Sequence, residues 1–215
     1  MTTSRALMLE VPIQKEEIMV YGLREISETL SDLIPFFAPH YEDNYGLLIL
    51  INKQANVVVH GEVFVHKHKG YKPEGDVGNH ARNIQYLTIS MNGKSITILN
   101  FHGLWNGERK TDSEDRLLQS QKIIDFLKTL KGEIVFMGDF NLLPDTKSLK
   151  MLKESGLRNL IKEYGITSTR TPLYTKEEKF ADYCLVSGGL TVKDFKVLPD
   201  VVSDHAPLLV EVSLS

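Results

Sequence analysis

Apolar positions along this chain recur with two periods, one helical and one strand-like. Between residues 15 and 34, Ile18, Met19, Leu23, Ile26, Leu30 and Leu33 fall at helical spacing. That spacing predicts an amphipathic helix closed by Pro35, with Gly22 as its weak point. A strand-rich block follows. Residues 47–51 form an unbroken apolar run, and residues 57–65 are rich in valine, interrupted at His60, Gly61 and Glu62. After a polar loop over 66–82 come two more apolar runs, 84–91 and 96–101, joined by Asn92-Gly93. An Asn-Gly pair in that setting predicts a two-residue hairpin turn, since both residues tolerate positive φ.

A second helix is predicted over residues 113–130, with Leu117, Leu118, Ile124, Leu127 and Leu130 on one face. Glu114 and Asp115 suit its N-terminus, where the helix dipole favours negative charge. Residues 133–137 read as a buried strand, and 147–155 and 157–164 as two short helices. Residues 180–186, 190–197 and 208–212 read as further strands. Strands outnumber helices, and an antiparallel hairpin sits beside longer crossovers, so mixed sheets covered by helices are expected, an α/β or α+β layered architecture. With no repeat, low-complexity tract or Pro/Gly-rich linker, residues 1–215 are expected to form one domain.

Composition narrows the partners more than the fold. Apolar residues make up 42% and charged residues 25%, which excludes the disordered and fibrous classes. The net charge of −3 lacks the basic excess of a dedicated duplex binder, so nucleic acid is allowed as a substrate but not implied. The single cysteine, Cys184, excludes an internal disulfide and a Cys-rich zinc site; its apolar neighbours predict a buried strand position. The apolar run at 6–11 is short and contains an acid, unlike a signal peptide, and no run is long enough to span a membrane. A reducing, cytoplasmic location is expected, and no feature calls for an obligate protein partner.

Polar residues at strand ends carry the candidate chemistry. Asp139 follows the apolar strand 134–137 directly, where a carboxylate is tolerable only if it emerges at the sheet edge, a common place for ligands. Asn141 lies two residues on, on the same side if the backbone is extended. A strand-terminating turn explains the same pair equally well. Asp204 and His205 offer a hard oxygen ligand and a titratable imidazole, although alone they read more simply as an exposed turn. Asp182 begins another apolar strand and, if buried, needs a partner such as an imidazole. His102 ends the strand at 96–101. Four strand ends each bearing Asp, Asn or His suggest one assembled site.

Together, Gly-Asp-Phe-Asn at 138–141, Phe-Ala-Asp-Tyr-Cys-Leu-Val-Ser at 180–187, Ser-Asp-His-Ala-Pro-Leu at 203–208 and Asn-Phe-His-Gly at 100–103 resemble the endonuclease/exonuclease/phosphatase superfamily, the DNase I-like fold. The resemblance covers residue 47 to the C-terminus; the 138–141 and 203–205 motifs are specific as a pair. It implies a four-layer α/β sandwich, with two mixed β-sheets packed face to face and flanked by helices. It also implies a divalent-metal-dependent phosphoesterase acting on a phosphodiester, in nucleic acid or a small phosphoester, by in-line attack of an activated water.

The resemblance assigns roles residue by residue. Asp139 would orient and deprotonate the water, with Asn141 beside the phosphate oxygen. His205 would stabilise charge on the phosphoryl group, oriented by Asp182, and His102 would touch the phosphate from the opposite side. Asp204 and Glu10 would bind Mg²⁺ or Mn²⁺. Arg116 and Gln119 would brace the loop after His102. In the family a Thr-Trp-Asn-like strand normally precedes the one that carries Glu10. This sequence lacks that strand, and Leu9 stands where Gln is usual, so a catalytically impaired binding or scaffold protein is the alternative reading. His66-Lys67-His68-Lys69 reads as a solvated loop edge. Trp105 reads either as a stacking platform or as loop packing.

Overall fold

The computed structural model describes residues 6–12, 22–41, 45–71, 73, 77–107 and 109–214, with only the backbone described for residues 9–12. In chain order the elements are β1 (Ala6–Pro12), α1 (Leu23–Thr29), β2 (Leu33–Tyr41), β3 (Tyr45–Asn52), β4 (Val57–His66), β5 (Arg82–Met91), β6 (Lys94–His102), α2 (Glu114–Leu127), β7 (Glu133–Asp139), α3 (Lys147–Glu154), β8 (Leu157–Asn159), α4 (Leu160–Glu163), β9 (Asp182–Ser187), β10 (Leu190–Val197) and β11 (Leu208–Leu214).

The unbroken apolar run in β3 reflects burial on both of its faces. Leu48 and Leu50 point to one side, where Leu23 and Ile26 of α1 and Leu30 just after it pack on them. Ile49 and Ile51 point to the other and join the main core. β3 is the middle of an antiparallel sheet ordered β1-β3-β2. This sheet packs across a six-stranded sheet ordered β4-β5-β6-β7-β9-β8. Among the described residues the larger sheet is mixed, with β6 and β7 parallel and its other neighbours antiparallel. α2 and α3 pack on each other and flank the larger sheet. From α1 to α2 and α3 this gives helix, sheet, sheet, helix: the four-layer sandwich implied by the sequence. Among the described residues β10 and β11 form a separate antiparallel pair, whose Leu208, Val210, Val212 and Leu214 also pack on the core.

Three side-chain amides tie the two sheets together. Asn100 on β6 donates to the Leu48 carbonyl (3.3 Å), Gln85 on β5 to the Phe36 carbonyl (2.7 Å), and Asn83 to the Pro39 carbonyl (3.2 Å). A buried amide without a partner costs about 1–3 kcal/mol, so these bonds set the relative placement of the layers.

Two elements depart from the expected pattern. Helix α1 ends at Thr29, and Leu33, Ile34 and Pro35 belong to strand β2 rather than to the end of a helix. β2 is an edge strand, where the missing N–H groups of Pro35 and Pro39 are tolerated. Residues 13–21, including Ile18 and Met19 of the expected helix, lie outside the described residues. The second difference is at 157–159, which pair with β9 as a short edge strand, leaving only Leu160–Glu163 helical. The Asn92-Gly93 turn is as expected, with φ of 53° and 77°. Leu118 is an exception on its helix: it is 55% exposed, while Arg116, Gln119 and Ser120 face inward with Ile123, Ile124 and Leu127.

Candidate active site

Parallel pairing of β6 with β7 and antiparallel pairing of β7 with β9 put three strand termini at one sheet edge. His102 ends β6 opposite Asp139, which ends β7, and Asp139 pairs in turn with Asp182 at the start of β9. The close approach depends on glycine. Gly138 has φ of 144°, and a Cβ there would collide with the Phe101 carbonyl. The Gly103 N–H donates to the Asp139 carbonyl at 2.6 Å, locking the ends of β6 and β7 together.

His205 arrives from the loop before β11. Its Nδ1 lies 2.8 and 2.9 Å from the two carboxylate oxygens of Asp182. That hydrogen bond orients the ring so that Nε2 lies 3.8 Å from Oδ2 of Asp139 and 3.7 Å from Oδ2 of Asp204. His102 Nε2 approaches the same Asp139 oxygen at 3.9 Å. Asp139 therefore stands between two imidazoles, one held by a carboxylate.

Asn141 is positioned differently from the extended-backbone expectation. Its φ is 53°, its N–H donates to Asp139 Oδ1 (2.7 Å), and its side-chain amide donates to the Gly103 carbonyl (3.2 Å). The Asp139–Asn141 pair is thus a tight turn as well as part of the site, and Asn141 is buried. The side chain of Glu10 lies outside the described residues; its backbone pairs with Leu47 in β3.

The electrostatics follow from this crowding. Burial pushes the Asp139 carboxyl up, but His102, His205, Lys110 and the Asn141 N–H outweigh it and hold Asp139 below the usual carboxylate range. Burial would push the His205 imidazole down; the hydrogen bond and charge of Asp182, aided by Asp139, raise it instead. Asp182 is pushed up by burial and by the nearby Asp139, against the pull of His205. The shifts of Asp139 and His205 run in opposite directions, the carboxyl down and the imidazole up.

Asp139, Asp182 and His205 offer donor atoms all within 4.8 Å of one another, a group able to hold a metal ion. Nδ1 of His205 is already engaged by Asp182, so the hard donors at this edge are the carboxylates of Asp139, whose Oδ1 accepts from the Asn141 N–H, and of the half-exposed Asp204, whose Oδ2 pairs with Arg170. Such oxygens fit a hard divalent cation such as Mg²⁺ or Mn²⁺.

Several contributors lie in segments the sequence reading passed over. Lys110 is 3% exposed, donates to the Phe180 carbonyl at 3.3 Å and sits 5.2 Å above the Tyr174 ring. Burial lowers its ammonium pKa, against attraction from Asp139. Arg170 pairs with Asp204 at 3.0 Å and stacks on the same ring at 4.0 Å. Neither belongs to a periodic pattern; the only hint was a charge flanked by β-branched residues, at Thr169-Arg170-Thr171. Arg116 and Gln119 brace the loop after His102, Arg116 through the carbonyls of Leu104, Arg109 and Thr111, and Gln119 through the Leu104 N–H. Trp105 is half-buried with Lys176 5.4 Å over its ring. His66 is buried at the end of β4 and bonds Asn79 at 2.9 Å, so it is not part of a solvated edge.

Comparison with known proteins bears on the family and the fold. The Endonuclease/Exonuclease/phosphatase family matches residues 15–205. UPF0294 proteins of Vibrio campbellii and Vibrio parahaemolyticus are each 30% identical over 124 residues, covering 58% of this chain and 42% of their own length. The chain thus matches less than half the length of those relatives. Among solved structures, Bacteroides thetaiotaomicron mannosyl-6-phosphatase superposes with a TM-score of 0.73 at 17% identity, covering 89% of this chain and 81% of its own. A humanized D. rerio TDP2 gives a TM-score of 0.67 at 12% identity, covering 97% and 84%. At these identities the structural likeness establishes the fold.

Proposed function

The chain belongs to the endonuclease/exonuclease/phosphatase family, whose members hydrolyse phosphoester bonds, and from that membership we propose that it is a divalent-metal-dependent phosphoesterase using the Asp139–His205–Asp182 cluster. The substrate class is a phosphodiester, in nucleic acid or a smaller phosphoester, cleaved by in-line attack of water.

The observation that carries this reading is the alignment of Asp182, His205 and Asp139 beside His102 at one sheet edge. Asp139, held below the usual carboxylate range despite its burial by His102, His205 and Lys110, accepts the proton of the attacking water. His205, its imidazole pKa raised and its ring oriented by Asp182, and His102 face the phosphoryl oxygens and stabilise the negative charge that develops there. Asn141 holds Oδ1 of the Asp139 carboxylate through its backbone N–H, and its side-chain amide would sit beside the phosphate. Asp204, with Glu10, would hold Mg²⁺ or Mn²⁺, which supplies Lewis-acid stabilisation of phosphoryl charge.

The test is hydrolysis of bis(p-nitrophenyl) phosphate and p-nitrophenyl phosphate by the purified chain with Mg²⁺, Mn²⁺ or EDTA. Release of nitrophenol that needs metal and disappears in Asp139→Asn and His205→Ala is expected. Wild-type rates in both variants would place the chemistry elsewhere.

A further inference from the structure

Asp182 and His205 are 23 residues apart, and the loop carrying His205 is open to solvent: Val201 and Val202 are 53% and 73% exposed. A hydrogen bond between two side chains does not by itself hold such a loop. Thr169-Arg170-Thr171 lies between the two segments and binds both. On one side, Thr169 Oγ1 accepts from the N–H groups of Ala181 and Asp182, both at 3.3 Å, and the Thr169 N–H donates to the Lys179 carbonyl at 2.8 Å. On the other, the Ala206 N–H donates to the Thr169 carbonyl (3.0 Å) and the Thr171 N–H to the Asp204 carbonyl (3.2 Å), while the Thr171 hydroxyl donates to the Ser203 carbonyl (2.5 Å). Arg170 and His205 face each other in a β-bridge.

We infer that Arg170 is a positioning residue, whose side chain clamps the 203–206 turn onto this strap and so fixes both Asp204 and His205. Its side chain is 6% exposed, and its guanidinium donates from Nη1 to Oδ2 of Asp204 at 3.0 Å and stacks 4.0 Å from the Tyr174 ring. The Tyr174 N–H in turn donates to the Thr171 carbonyl, so ring and strap move together. Oδ2 of Asp204 is held from one side by Arg170 and lies 3.7 Å from Nε2 of His205 on the other. A planar, buried guanidinium suits this task because stacking and charge-assisted hydrogen bonding restrict it in two directions at once. Arg170 acts through Asp204 and His205. This role rests on the phosphoesterase reading for its catalytic effect but not for its structural one.

Amide exchange in the metal-free full chain separates the two. In Arg170→Met, the Thr171 and Ala206 amides exchange at least about tenfold faster, while amides of Leu87 and Leu99 in the larger sheet keep their protection; Arg170→Lys recovers part of the loss. In parallel, kcat for bis(p-nitrophenyl) phosphate falls by about 10²-fold in Arg170→Met with KM changed little, since a shift of about 1 Å in a positioned group has that consequence. Unchanged exchange at Thr171 and Ala206 overturns the inference. So does an equal loss across the larger sheet, which would make Arg170 a general scaffold residue. If the wild-type chain hydrolyses neither ester, the phosphoesterase reading fails, and the exchange result still decides the role of Arg170.

Discussion

Nδ1 of His205 lies 2.8 and 2.9 Å from the two carboxylate oxygens of Asp182, so the far nitrogen of the ring is directed at Asp139. Asp182→Asn removes the charge that favours the imidazolium while nearly preserving shape. The expected result is a fall in kcat of about 10²–10⁴-fold. A variant within threefold of wild type would show that Asp182 does not orient the ring.

His205 also couples stability to pH. Its folded pKa is raised above the ordinary 6.5 despite burial, through the hydrogen bond and charge of Asp182. A raised imidazole stabilises the fold fully below 6.5, and this contribution disappears as pH rises through the folded value. The melting-temperature gap between wild type and His205→Gln should therefore be widest in mild acid and shrink in alkaline buffer. A gap that widens with pH would contradict the assignment.

Asp112 gives the opposite sign. Its carboxylate accepts from the N–H of Lys147 (2.6 Å), the N–H of Ser148 (2.9 Å) and the Ser148 hydroxyl (2.7 Å), capping α3 from 35 residues away. Burial pushes its carboxyl up, but these bonds prevail and hold it below 3.8. Asp112→Ala should lower stability by about 1 kcal/mol at pH 7, as for loss of a helix cap. The difference vanishes as pH falls through the depressed folded value. Urea unfolding at several pH values measures it.

Gly138→Ala should be severe. The position combines φ of 144° with a collision against the Phe101 carbonyl, so about 3 kcal/mol of destabilisation is expected in denaturant unfolding. Asp139 next to it would move, and any hydrolysis would fall with it.

The sequence carried the frame of this site unevenly. Asp139 and His102 were legible because each directly follows an apolar run that ends at the sheet edge, and the Asn-Gly hairpin because its backbone chemistry is local. The end of α1 was misread because Leu33, Ile34 and Pro35 continue a helical spacing, while pairing with β3 decides their conformation. Asn141 stays open in sequence between an extended backbone and a strand-ending turn because nothing in its neighbours reveals a positive φ; the turn is what forms. The strap at 169–171 was not legible: its bonds run to residues that become neighbours only after β9 and β11 have docked. A buried lysine such as Lys110 looks in sequence like any solvated one.

The amides of Asn83, Gln85 and Asn100 have a mechanical consequence. Apolar faces alone can slide past one another at little penalty, since one buried methyl group resembles the next. A slide of one residue, about 3.3 Å, would break all three donors from their carbonyls at once. The sandwich is thereby stiff in shear, and the strand that carries Glu10 is held in fixed register with the layer that carries His102 and Asp139.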